Sequence, residues 1–343
     1  MRQVVWIGRF RGHSGFATAT RGYVNALLPR MKNLSIAPLE VLEPEDSISS
    51  YRAQLPLRGD EFKVVNHHPT MDPEAECYFS VCEFDRISTE WADILSRARL
   101  VLAQSTFCTS IFSEAIGNSA NVHVIPYIIP QQYVPGCEFI RLFPEDVFIF
   151  GSVFEWVPRK VPERTIQAFT EEFDRDESVR LVLKTSHPDG LDTVQLVKEI
   201  STDERIVTIT DDFPDLAAFY RGLDTYISCT AGEGYGQTLA EAMACGIPAI
   251  ASRNGGNLDF MNDDNSYLVD VEDWSLAFTL DGEDYRWRLP KIEAIRERMR
   301  EVYSHWLQGR EEHKYDDTAR FRAKFTPDRI GTELRKVILE AMS

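Results

Sequence analysis

Glu233 and Glu241 stand eight residues apart in the run 228–259, SCTAGEGYGQTLAEAMACGIPAIASRNGGNLD. The first lies in the glycine-flanked turn Gly232-Glu233-Gly234-Tyr235-Gly236, and the second two turns into a helix expected over 237–245. Residues 224–228 have the β-branched and aromatic character of a buried strand, while Leu239, Ala240, Met243 and Ala244 form an apolar helical side. Strand, glycine turn and helix in that order leave free backbone N–H groups and the positive end of a helix dipole at one point, which suits a phosphate-bearing substrate. A second glycine turn, Arg253-Asn254-Gly255-Gly256-Asn257, follows the apolar strand 248–251. Two isolated glutamates would be ordinary solvated helix acids; two successive strand ends breaking in glycine favour a closely approached ligand.

Other segments carry polar groups to strand ends. Strand 3–7 runs into a loop with Gly8, Gly12, His13, Ser14 and Gly15, then a helix over 17–28; the glycine spacing is not that of the dinucleotide fingerprint. Strand 61–66 ends in Asn66-His67-His68-Pro69. Adjacent residues on an extended chain point to opposite faces, and no acid or cysteine has ligand spacing, so metal binding is not indicated. Strand 147–150 and a polar turn at Gly151-Ser152 precede Glu155, Arg159 and Lys160, then a helix over 163–173 with Ile166, Phe169 and Phe173 inward. Strand 180–183 ends in Lys184-Thr185-Ser186. Ser105 or Thr106 is placed to cap the helix after strand 100–103, and Asp211 and Asp212 the one after strand 206–209.

Glu233, Gly234, Tyr235, Gly236, Glu241, Ala242, Met243, Gly246, Pro248, Gly255 and Gly256 together resemble the ordered pattern of the retaining GT-B glycosyltransferases of family 4, the glycosyl transferases group 1. The resemblance extends weakly over most of the chain. It implies an α/β GT-B fold, two Rossmann-like domains facing across a cleft, and transfer of a hexose from a UDP- or GDP-linked sugar to a saccharide, lipid-linked or small-molecule hydroxyl. By the same resemblance Glu233 would sit by the donor sugar, and His68 or its neighbour His67 near the transferred group. Lys160 would neutralise the diphosphate, Gly12 and Gly15 would face the donor, and Gly234, Tyr235, Gly236 and Glu241 would complete the donor site, with Glu241 on the ribose hydroxyls; Lys184, read from its place at a strand end rather than from the family, could reach the same cleft from the sheet edge. The family's arginine five residues before Lys160 is Glu155 here; Arg159 is the guanidinium available to replace it. No metal and no cofactor beyond the donor is required by this arrangement. A nucleotide-sugar 2-epimerase and a non-catalytic nucleotide-sugar-binding protein share the architecture, and Glu155 is the best support for the latter.

At 343 residues the chain is long enough for two α/β domains. The partition expected is 1–135 for an acceptor-side domain, 146–310 for a nucleotide-sugar domain and 311–343 for terminal helices crossing back to the first. A net charge of −17 argues against nucleic acid as a partner. Six scattered cysteines suit free thiols in a reducing cytoplasm, and no run approaches the ~20 apolar residues of a membrane span. A cytoplasmic enzyme, with peripheral contact at the inner membrane face through a short amphipathic patch, is consistent with this; the oligomeric state is not legible.

Overall fold

Strands and helices alternate along much of both halves of the chain, and each half builds a six-stranded parallel sheet. The structure, a computed structural model, describes residues 2–12, 14–39, 59–211, 213, 215–309 and 318–343. His13, most of the polar segment 308–317, and Asp212 and Pro214 of the turn after strand 206–209 lie outside them. Two compact units are present: Met1–Pro130 with Arg322–Ser343, and Gln131–Phe321.

The first unit contains β1 (Val4–Gly8), α1 (Gly15–Leu27), β2 (Leu34–Pro38), β3 (Phe62–Asn66), β4 (Cys77–Ser80), α2 (Thr89–Ser96), β5 (Leu100–Ala103), α3 (Thr106–Ile116) and β6 (Val122–Val124). Its sheet order is β2-β1-β3-β4-β5-β6, parallel throughout. Trp6, Tyr23 and Phe79 pack at its centre with ring centroids 4.5–6.2 Å apart. Ser14 caps α1 and Ser105 caps α3.

The second unit contains β7 (Phe148–Glu155), α4 (Pro162–Glu172), β8 (Val179–Ser186), α5 (Thr193–Ile200), β9 (Ile206–Ile209), α6 (Leu216–Arg221), β10 (Thr225–Ser228), α7 (Gln237–Ala244), β11 (Ala249–Ser252), β12 (Tyr267–Val269), the antiparallel hairpin β13 (Ser275–Leu280) and β14 (Glu283–Trp287), and α8 (Ile292–Leu307). The sheet order is β12-β11-β10-β7-β8-β9. Phe148, Phe150, Ile166, Phe169, Leu181 and Ile250 join one side of it to α4 and to Ile295, Met299 and Tyr303 of α8. Residues 131–147 belong to this unit partly through Arg141, whose guanidinium pairs with Asp224 at 3.1 Å while Asp224 accepts the Ile149 N–H at 2.8 Å.

Some local expectations differ from this. Gly151 and Ser152 lie inside β7 rather than in a turn, since β7 is eight residues long and paired with β8 over its whole length. Asp215, not Asp211, caps α6 by accepting the Ala217 N–H at 2.9 Å.

The last helices are α9 (Thr318–Ala323) and α10 (Pro327–Ala341); α10 lies on α1. An ideal Cβ on Gly331 would come within 2.8 Å of the Ala26 Cβ and 2.9 Å of its carbonyl oxygen, so only glycine allows this approach. Gly331→Val is therefore expected to cost about 2 kcal/mol through overpacking, measured by denaturant unfolding; unchanged stability would show that α10 is not held by this contact.

Candidate functional site

In the second unit β7 is flanked by β8 on one side and by β10 on the other, so the strand order reverses between β7 and β10. The connections leaving the carboxyl ends of these two strands lead to α4 and α7, and such a reversal point is the usual ligand position in open α/β sheets. Arg159 and Lys160 follow β7, and Glu233 follows β10. Lys160 Nζ lies 2.7 Å and Arg159 Nη1 3.4 Å from Glu233 Oε2, and Arg159 also donates to the Gly232 carbonyl at 3.2 Å. All three side chains are largely buried, at 12% exposure for Glu233 and Lys160 and 20% for Arg159.

Burial alone would push the Glu233 carboxyl up. The adjacent Lys160 and Arg159 charges, with hydrogen bonds from Lys160 and the Gly236 backbone, outweigh it and hold the carboxyl below its ordinary range. Glu233 is thus an anion that only accepts hydrogen bonds, and it lies one turn before the amino terminus of α7. The arrangement can bind hydroxyls at a carboxylate beside two cations suited to phosphate oxygens.

The backbone here is constrained on both sides. The turn Pro158–Lys160 ends in Val161 at φ 37° and ψ 50°, a left-handed conformation that strains a β-branched residue. Ala231 N–H bonds to the Arg159 carbonyl at 2.8 Å, joining the two loops. From β11, Ser252 Oγ bonds to the Thr230 carbonyl at 2.7 Å, Asn254 Nδ2 to the Ala231 carbonyl at 3.0 Å, and the Gly256 N–H to the Glu233 carbonyl at 2.8 Å. Gly236 at φ 92° turns the chain into α7, with Gly234 and Tyr235 immediately before it. Tyr235 itself is buried and packs on Phe260 at 5.1 Å.

Glu241 is 5% exposed within α7. The Tyr220 hydroxyl donates to it at 3.4 Å, and Tyr133 is a second hydrogen-bonding partner. Burial, followed by the Glu241 charge, keeps the Tyr133 hydroxyl protonated well above its ordinary range. These tyrosines carried no signal in the spacing around Glu241. Lys184 lies inside β8, opposite Val153 and Ile209, and is 9% exposed; the strand runs two residues past it. Glu155 is the exposed last residue of β7, and Arg159 and Lys160 rather than Glu155 reach the Glu233 carboxylate.

In the first unit the strand order reverses between β1 and β3, and the loops after these strands hold the remaining candidates. Gly12 adopts φ 77°, and its carbonyl and that of Phe10 accept from Arg21 at 2.9 and 2.6 Å; Gly15 begins α1. Thr20 donates to Asn66 at 2.7 Å and Asn66 to the Phe79 carbonyl at 3.1 Å, fixing the end of β3. Beyond it His67 is buried and stacked on Phe16 at 4.7 Å, whereas His68 is exposed, 5.0 Å from Trp91. Partial burial and then the Arg9 charge lower the His68 pKa, which favours the neutral imidazole at pH 7.

Residues 144–280 match the family model for glycosyl transferases group 1. This segment holds Arg159, Lys160, Lys184, the Glu233 turn and Glu241. Among curated relatives, the D-inositol 3-phosphate glycosyltransferase of Rhodococcus jostii (strain RHA1) is 29% identical over 192 residues, 51% of this chain and 42% of the relative. The N-acetyl-alpha-D-glucosaminyl L-malate synthase of Bacillus anthracis is 30% identical over 132 residues, 38% of this chain and 33% of the relative. The chain thus spans less than half the length of the curated relatives it matches. The crystal structure of Anabaena Alr3699/HepE in complex with UDP and glucose superposes with a TM-score of 0.71 at 13% identity, over 99% of this chain and 100% of that one. The fold is GT-B, two Rossmann-like α/β units. Among the described residues no helix is long and apolar enough to cross a membrane, and no cluster of three metal-ligating side chains is present.

Proposed function

We propose that the chain is a retaining glycosyltransferase that moves a hexose from a nucleotide diphosphate sugar to a hydroxyl acceptor. The observation that carries this reading is the buried Glu233 carboxylate bridged to Lys160 and Arg159 where the strand order reverses in a segment matching the group 1 family model. The donor diphosphate would draw on Lys160, Arg159 and the N–H groups entering α7, which stabilise the charge that grows on the leaving group as the sugar–oxygen bond breaks. Each strong contact of this kind contributes a few kcal/mol to lowering the barrier. Glu233 would accept hydrogen bonds from the sugar hydroxyls and Glu241 from the ribose.

Retention places the incoming hydroxyl on the face the diphosphate leaves, and a leaving phosphate oxygen can take the acceptor proton, so no side-chain base is needed. With two side-chain cations at the phosphates, the reading needs no metal. His68, neutral and exposed, is assigned to the acceptor end of the transferred sugar. The solved structure bound to UDP and glucose supports a uridine donor, and the differing acceptors named for the two relatives leave inositol phosphate and malate as members of a wider hydroxyl class.

A calorimetric screen of UDP, GDP, ADP and their sugar conjugates, with and without magnesium, tests the reading. Selective binding of one nucleoside diphosphate without magnesium is expected, followed by NMR detection of a product with the donor's anomeric configuration. Release of a free sugar isomer with no acceptor would instead identify an epimerase, binding without turnover a non-catalytic binder, and no binding at all would reject the donor site.

A further inference from the structure

A separate cavity of about 510 Å³ lies in the second unit between the turn after β7, the start of α4 and the end of the β13–β14 hairpin. This volume is within the ~300–1,000 Å³ range of small-molecule sites. Trp156 and Trp287 line it together with Pro158, Glu163, Arg164 and Gln167. Arg159, Lys160, Glu233 and Glu241 are not among its walls.

The chemistry of the lining selects a ligand class. Both indoles are only partly buried, and each is held by a neighbour. The Trp156 backbone bonds to the Ser186 carbonyl at 2.7 Å and its ring packs on Phe154 at 5.8 Å, while Trp287 pairs with Ser275 across the hairpin. Arg164 is committed to Glu272 at 2.5 Å and to the Pro290 carbonyl at 2.9 Å. Both bonds leave from Nη1, so the charge of this guanidinium is paired with Glu272 while its other N–H groups can still donate, and the Glu163 carboxylate next to it in sequence opposes an anion. Glu163 and Gln167 are one helical turn apart on α4, and the Gln167 amide nitrogen is turned to Glu171 at 2.7 Å, which leaves its carbonyl oxygen as an acceptor. Two partly buried indoles, acceptor oxygens on Glu163 and Gln167 and a cation whose charge is paired with Glu272 match the alternating C–H faces and hydroxyls of a neutral sugar.

We infer that this cavity is an accessory binding site for a neutral saccharide, distinct from the donor site. The inference rests on the walls of this cavity and stands whether or not the donor reading holds. It also shares Pro158 and Val161 with the strained turn that carries Arg159 and Lys160, so an occupied cavity touches the backbone that aims those cations.

The test is a microarray of neutral oligosaccharides probed with the full chain, followed by calorimetry of the strongest hit against Trp156→Ala, Trp287→Ala and Gln167→Ala. Gln167 is an exposed helix position, so its variant guards against a folding defect. Expected is at least one saturable neutral glycan whose affinity falls at least tenfold with either tryptophan removed and severalfold in Gln167→Ala. UDP titration of the same proteins reads the donor site separately. No glycan bound, preference for anionic glycans only, or affinity unchanged in all three variants would each overturn the proposal.

Discussion

Lys160→Met is expected to lose about 3 kcal/mol of stability, because it leaves the Glu233 carboxylate buried beside only the more distant Arg159. Removing one member of a buried pair strands the other charge; removing both need not be costly. Glu233→Gln in the Lys160→Met background should therefore recover much of the loss, and a double-mutant cycle by urea unfolding measures the coupling. The pH dependence has a definite sign. The Glu233 carboxyl is held below its ordinary value of 4.5, so its contribution is fully present above that value and is lost as pH falls through the lower folded value. In Lys160→Met the main opposing charge is gone and burial dominates, so the carboxyl should rise and acid should destabilise the variant less steeply. UDP affinity is expected to fall at least 100-fold in the same variant. Stability lost with UDP binding intact would keep the ion pair and reject the phosphate role; a variant as stable as the parent would reject the buried pair itself.

The sequence shows the parts of this site better than their partnerships. The turn around Glu233 and the start of α7 are local, with glycines marking the bend and Leu239, Ala240 and Met243 marking the buried side. Lys160 and Glu233 are 73 residues apart, and their contact depends on β7 and β10 being sheet neighbours, an arrangement that no local periodicity encodes. The same limit hides Tyr220 and Tyr133 beside Glu241. Lys184 reads as a strand-end residue because a lysine normally ends an apolar run, yet β8 continues through it while its neighbours in β7 and β9 cover it. The short strands β2 and β4 lack turn signals or alternation strong enough to mark them, whereas β13 does alternate, with Leu276, Phe278 and Leu280 on one side, and the fold leaves that side exposed. Val161 is the reverse case: nothing in its residue type announces a left-handed conformation, and the fold imposes it.

Gly255→Ala is expected to be the most damaging single-methyl change in the loop that holds Glu233. Gly255 sits at φ 93° and ψ −164°, a backbone region that is nearly closed to any residue with a Cβ. The added methyl would also be driven into the carbonyl oxygen and nitrogen of Glu233, backbone atoms that cannot step aside as a flexible side chain would. The same segment donates the Gly256 N–H to that carbonyl, so relief of the clash must break this bond and carry Glu233 with it. Strain and collision together should cost about 3 kcal/mol or more, and a shift of Glu233 by about 1 Å is enough to reduce turnover on the order of 100-fold. Gly117→Ala separates the two contributions, since Gly117 also has positive φ, 65°, but open space where its Cβ would stand. It should cost only about 1 kcal/mol and leave nucleotide binding intact. Thermal and urea unfolding with UDP titration of both variants would show Gly255→Ala losing stability and affinity together. Equal, small losses in the two, with affinity unchanged, would mean that the loop after β11 does not position Glu233.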